Sequence, residues 1–97
     1  MSFKVVIEPR ALRETQDTID YYNNKLPGLG KKFERVLDEH IKIISKNPFF
    51  QIRYKDYRIL PLKNFPYKII YYLNETRKTV YIIAIFNTSQ SPYKQPK

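Results

Sequence analysis

The stretch PYKIIYYLNETRKTVYIIAIFN, residues 66–87, decides the fold. Two apolar runs, Tyr67 to Leu73 and Thr79 to Phe86, flank the polar segment Asn74 to Lys78, the pattern of two neighbouring strands joined by a turn. A strand alternates its side chains between two faces. In the first run Tyr67, Ile69, Tyr71 and Leu73 alternate with Ile70 and Tyr72; in the second Val80, Ile82, Ala84 and Phe86 alternate with Tyr81, Ile83 and Ile85. Both strands are therefore apolar on both faces, whereas one layer of helices covers only one face of a sheet. The remaining face, with Tyr72, Tyr81 and Ile83, calls for a partner, an oligomer or a chain terminus. The simpler alternative is that its amphipathic tyrosines line a solvated face.

Upstream, Lys63-Asn64-Phe65-Pro66 separates this pair from another alternating run, Tyr57 to Leu62. Before that the period changes to that of a helix. Leu12, Thr15, Ile19, Tyr22 and Leu26 recur every three or four residues, as do Phe33, Val36, Leu37, His40, Ile41 and Ile44. Between the two stripes lies Leu26-Pro27-Gly28-Leu29-Gly30, with both glycines of the chain, and Asn47-Pro48 closes the second. Phe3 to Ile7 reads as a strand, closed by Glu8-Pro9 with the proline in the first turn of a helix. The expected architecture is α+β in the order β-α-α-β-β-β, an antiparallel sheet packed on an N-terminal helical hairpin. One domain is expected over residues 1–97, with 91–97 a polar, proline-broken tail.

A chain of 97 residues with 42% hydrophobic and 15% aromatic residues can enclose one modest core. It has no cysteine and a single histidine, so a disulfide framework and a thiolate or multi-histidine metal site are excluded, and no cofactor is expected. The first residues hold no apolar run long enough for a signal-peptide core or a membrane span, which favours a cytoplasmic protein with no membrane partner. Two glycines cannot build a phosphate loop, and His40 falls within an apolar helical stripe, the position of a packed rather than a catalytic histidine. The helix carboxylates alternate with Lys and Arg, as on solvated faces.

Charge is the other strong signal. The formal net charge is +9, and residues 1–47 carry nine Lys/Arg against seven Asp/Glu, net +2, while residues 48–97 carry nine against two, net +7. Such a field attracts nucleic acid, ribosomes or an acidic protein, unless it serves only solubility. The candidate target-binding residues are Arg53, Lys55, Arg58, Lys63 and Lys68. Placed side by side on neighbouring strands, Arg58 and Lys68 would clamp a phosphate while a tyrosine stacks on a base.

Taken in order, ALRETQDTIDYYNNKLPGLGKKFERVLDEHIKIISKNP, YRILPLKNFPYKIIYYL and VYIIAIFNTSQSPYK resemble the RelE/ParE superfamily of plasmid stabilization and type II toxin-antitoxin systems. The marks are Tyr21-Tyr22, Pro27 to Gly30 with Phe33, Asn47-Pro48, Arg58, Phe65-Pro66-Tyr67 and a Ser-x-x-Pro-like tail, spread over nearly the whole chain. The resemblance implies a growth-inhibiting toxin wrapped by a cognate acidic antitoxin, through which alone it would reach operator DNA. Tyr72, Tyr81 and Ile83 are the candidate antitoxin contacts. Members of the superfamily differ in target: some cut mRNA on the ribosome, and ParE-like members poison DNA gyrase. Arg58 and Lys68 fall where ribosome-dependent members keep basic residues, which with Tyr67 makes them the catalytic candidates under that reading.

One motif departs from the family. Where relatives read Phe-His-Thr-Ser-Arg, this chain has Phe86-Asn87-Thr88-Ser89-Gln90. Neither Asn87 nor Gln90 ionises near neutral pH, so neither supplies a general acid or a charged phosphate clamp. The first expectation is accordingly a ParE-like toxin that binds a macromolecule, gyrase being the candidate. The alternatives are a RelE-like mRNA endonuclease and an attenuated member that only binds its antitoxin and regulates its operon.

Overall fold

The computed structural model describes residues 2–49 and 52–88, with the backbone alone for residues 52–54. Gln90 and the tail at 91–97 lie outside the described residues. Seven elements follow one another: β1 (Lys4–Ile7), α1 (Pro9–Lys25), α2 (Leu29–Lys46), β2 (Ile52–Tyr54), β3 (Tyr57–Pro61), β4 (Tyr67–Asn74) and β5 (Thr79–Asn87). The α+β class and the helical hairpin agree with the sequence, but β2 is an addition. Three residues are too few for an alternating pattern to show.

The strand order is β1-β5-β4-β3-β2, and every neighbouring pair is antiparallel except β1 with β5, which is parallel. The expected antiparallel sheet is therefore a mixed one: β1 lies beside β5 in the same direction, a long-range pairing that no alternating pattern records.

The two helices cover one face. Phe33, Leu37 and Ile44 of α2 and Ala11 of α1 pack into a core with Leu62, Phe65, Tyr67, Ile69, Tyr71, Val80, Ile82 and Ile85. The α2 stripe is the one the spacing gives. In α1 Ile19 and Tyr22 of the expected stripe pack against this core, but its ends do not: Leu12 is 54% and Leu26 59% exposed, and the most buried residues are Ala11 and Thr18. Small residues at 11 and 18 let α1 lie close to β5, a choice that hydrophobicity alone cannot signal. An aromatic cluster of Tyr22, Phe33, Phe65 and Tyr67, with ring centroids 5.1–6.2 Å apart, ties both helices to the start of β4.

The helices meet at their turn. Gly28, at φ +90°, takes the left-handed conformation that side chains resist, and Gly30 lets α2 touch α1. The Gly30 N–H donates to Asn23 Oδ1 at 2.8 Å, and a Cβ added at Gly30 would fall 2.3 Å from the Ile19 carbonyl oxygen and 2.7 Å from the Asn23 amide. Backbone cannot yield as a side chain can. Gly30→Ala is expected to destabilise the fold by about 3 kcal/mol, read as a lower midpoint in urea denaturation; an unchanged midpoint would refute the close approach.

β5 holds the main departure from simple alternation. Ile70 is opposite Ala84, but Tyr71 is opposite Ile82, so Ile83 is an extra residue in a β-bulge. Beyond it every side chain changes face. Ile85 and Asn87 join Val80 and Ile82 on the helix side, while Ala84 and Phe86 go to the side of Tyr81. Strict alternation places these pairs the other way round, because period-two counting does not register an inserted residue.

Candidate functional site

The sheet face away from the helices carries successive cross-strand rows. Tyr72 stands opposite Tyr81 with the rings stacked at 4.9 Å and 16°, Ile70 opposite Ala84, and Lys68 opposite Phe86 with its Nζ 5.3 Å from the ring centroid. Val6, opposite Tyr81 on β1, extends the first row. Burial, followed by the nearby Glu8, Tyr81 and Tyr57, pushes the Tyr72 phenol above its usual range. On this face Lys68, Tyr72, Tyr81 and Phe86 are half-buried, whereas Ile70 and Ala84 between them are buried, at 8% and 4% exposure. Of the three residues singled out on it, Tyr72 and Tyr81 are directly paired, whereas Ile83 occupies the bulge and has no residue opposite it on β4. Phe86 is a member of the face that the sequence reading assigned to the other side.

The three catalytic candidates are not brought together. On the β3–β4 ladder Arg58 is opposite Tyr71 and Lys68 opposite Pro61, three positions apart and so on opposite faces, about 10 Å apart along the strands. The side-by-side phosphate clamp is thus contradicted by the register. Tyr67, next to Lys68 in sequence, faces the helices and is only 8% exposed; its hydroxyl accepts a hydrogen bond from Asn87 Nδ2 at 3.4 Å. Close by, Glu14 of α1 accepts the Ile85 N–H at 2.9 Å and the Arg10 Nε–H at 3.2 Å. Asn87, at the family's histidine position, therefore looks into the α1 side of the sheet, away from Lys68.

Arg58 is engaged locally. Its guanidinium donates to the Phe49 carbonyl at 3.2 Å and lies 5.8 Å from the Phe49 ring centroid. Its cross-strand neighbour Tyr71 is fully buried and donates its hydroxyl to the Pro48 carbonyl at 2.8 Å. Both tie the α2–β2 connection to the sheet. Burial pushes the Tyr71 phenol up to about 12, with the Arg58 charge acting in the opposite direction. A phenol raised above its unfolded value of about 10 contributes stability that is complete below pH 10 and is lost as pH rises toward 12. The protein should lose stability over that window, and the loss should be smaller in Tyr71→Phe; identical alkaline melting curves for the two would refute this.

The remaining basic candidates are scattered. Lys55 sits in the β2–β3 turn at φ +55° and is exposed; Arg53 pairs with Arg58 across the β2–β3 ladder, its side chain being outside the described part. Lys63 starts the β3–β4 turn, and its backbone N–H donates to Nε2 of His40 at 3.3 Å. That bond fixes the proton on Nδ1, which donates to the Val36 carbonyl at 2.7 Å. His40, 6% exposed and bonded through both nitrogens, is a packed structural histidine, as the stripe suggested. Among the described residues no group of three His, Cys, Asp or Glu side chains is placed to hold a metal ion, and no helix is long and apolar enough to cross a membrane.

Residues 5–92 match the family described as ParE toxin of type II toxin-antitoxin system, parDE. No curated protein matches the sequence. Among solved structures, the chain resembles one from a chromosomal ParDE toxin-antitoxin system of P. aeruginosa, with a TM-score of 0.79, 15% identity and coverage of 91% of this chain and 98% of that one. It resembles the isolated E. coli RelE toxin at a TM-score of 0.70 and 16% identity, covering 95% and 90% of the two chains. A chain of the intact E. coli RelBE toxin-antitoxin complex gives 0.71 and 15%, covering 92% and 100%.

Proposed function

The chain belongs to the ParE toxin family of type II toxin-antitoxin systems, and from that premise we propose that it inhibits growth by binding a macromolecular target without cutting RNA, and that a cognate antitoxin neutralises it. One observation carries the non-catalytic part: Arg58, Tyr67 and Lys68 diverge, Arg58 and Tyr67 lying on the helix side and Lys68 on the open face. Proton transfer to and from a ribose hydroxyl needs groups held within hydrogen-bond reach of the same atoms. DNA gyrase is the target candidate, following the ParE rather than the RelE branch.

The antitoxin is assigned to the open face. Its half-buried aromatic residues, Tyr72 stacked on Tyr81 and Phe86 under Lys68, match the centre of a protein interface, where aromatic residues concentrate. An RNA endonuclease remains the second reading, favoured by Lys68 standing over Phe86 on that aromatic face, where a base would find both a ring and a cation. Inducing the chain alone, and together with the adjacent gene, separates these possibilities. Growth arrest with a DNA-damage response, relieved by the neighbour, is expected; arrest with mRNA cleavage would favour the second reading, and no arrest would favour an attenuated member.

A net charge of +9 should also steer an acidic antitoxin to the surface. Association is expected to slow as salt rises from low to physiological concentration, and Lys68→Glu should reduce the on-rate. Stopped-flow rates independent of ionic strength would remove the steering argument.

A further inference from the structure

Away from the open face, a cleft runs between α2 and the β3–β4 turn, lined by Glu39, His40, Lys42, Ile43, Lys46 and Lys63. Its charge comes from two parts of the chain: Lys42 and Lys46 belong to the nearly neutral first half, and Lys63 is brought to them by the fold. The His40 Nε2 that accepts the Lys63 N–H at 3.3 Å, on a side chain only 6% exposed, holds the turn in that place. In the cleft Ile43 is 49% exposed, the only large hydrophobic residue so exposed on α2. Three lysines face one glutamate, and among the described residues none of the three forms an ion pair.

We propose that this cleft is a second docking site, taking an acidic peptide segment of the antitoxin that seats one apolar side chain on Ile43 and presents carboxylates to Lys42, Lys46 and Lys63. This rests on the antitoxin reading above. A peptide fits the lining better than nucleic acid does. The cleft has an apolar floor, which a sugar-phosphate backbone does not use, and no tyrosine or phenylalanine on which a base would stack. An Asp/Glu-rich segment with a Leu, Ile, Val or Met satisfies both the floor and the rim. Because the Lys63 turn joins β3 to β4, a segment leaving the open face at that end of the sheet reaches the cleft by crossing the turn, so one antitoxin chain would occupy both surfaces.

The test uses the full chain and the antitoxin encoded beside it. Dissociation constants at physiological salt are measured for the wild type, for Lys42→Glu with Lys46→Glu and Lys63→Glu, and for Ile43→Ser alone, each checked by its thermal melting. The triple variant is expected to bind at least tenfold more weakly, with a flatter salt dependence, and Ile43→Ser several-fold more weakly; the single exposed substitution keeps the question open to an answer if the triple variant misfolds. Wild-type affinity in the folded variants would overturn the cleft while leaving the antitoxin reading intact. So would unchanged antitoxin binding accompanied by lost affinity for a 20-nucleotide single-stranded RNA, the outcome expected of a nucleic-acid site. If the wild-type chain itself fails to bind, the antitoxin reading falls and the cleft proposal with it.

Discussion

Tyr72→Glu combined with Tyr81→Glu should abolish copurification of the chain with its antitoxin and leave the isolated fold intact. The two rings are stacked at 4.9 Å across β4 and β5. Both positions are half-buried, so on the free protein the carboxylates can still reach water. In the complex they would be buried against apolar side chains without a partner charge, which costs several kcal/mol, more than a hundredfold in affinity. Tyr72→Phe with Tyr81→Phe keeps the stack and should bind nearly as well as the wild type. If the double glutamate variant still copurifies, the antitoxin docks elsewhere.

Asn87→His with Gln90→Arg, which restores the family residues, should not turn the chain into an efficient ribosome-dependent nuclease. On sequence grounds the substitutions return an acid-base group and a phosphate clamp, and positioned groups of that kind contribute about 10² to 10⁴ in rate. The fold opposes the gain at Asn87. That residue is directly opposite Tyr67 and bonded to its hydroxyl on the helix side, whereas Lys68 stands over Phe86 on the other face. An imidazole at 87 would have no common substrate atom with Lys68. Cleavage by the double variant is expected to rise by less than about tenfold, well short of the range for positioned groups; a gain of 10³ would show that these groups converge on the ribosome.

How far the sequence revealed this molecule depended on whether a feature is periodic. The stripe Phe33, Leu37, His40, Ile44 and the three longer strands repeat often enough to be read directly, and the two-sided apolarity of β4 and β5 marked the open face. Three features escaped because each is a single event. The three-residue β2 carries no repeat that a pattern could register. Ile83 in the bulge changes the face of everything after it, so Phe86 was sought on the wrong side. Lys63 was grouped with Arg58 and Lys68 because they are near in sequence, but backbone contact with His40 places it beside Lys42 and Lys46. Charge counted along the chain identified a basic half; only the fold shows which lysines share a surface.

The most direct test of the central claim, that this toxin acts by binding and not by cutting RNA, is primer-extension mapping of mRNA on translating ribosomes incubated with the purified wild-type protein. Intact transcripts are expected, with no A-site 5′ ends above background and no difference between the wild type and Lys68→Ala. Robust A-site cutting that disappears in Lys68→Ala would contradict the claim and make the open face a nuclease site.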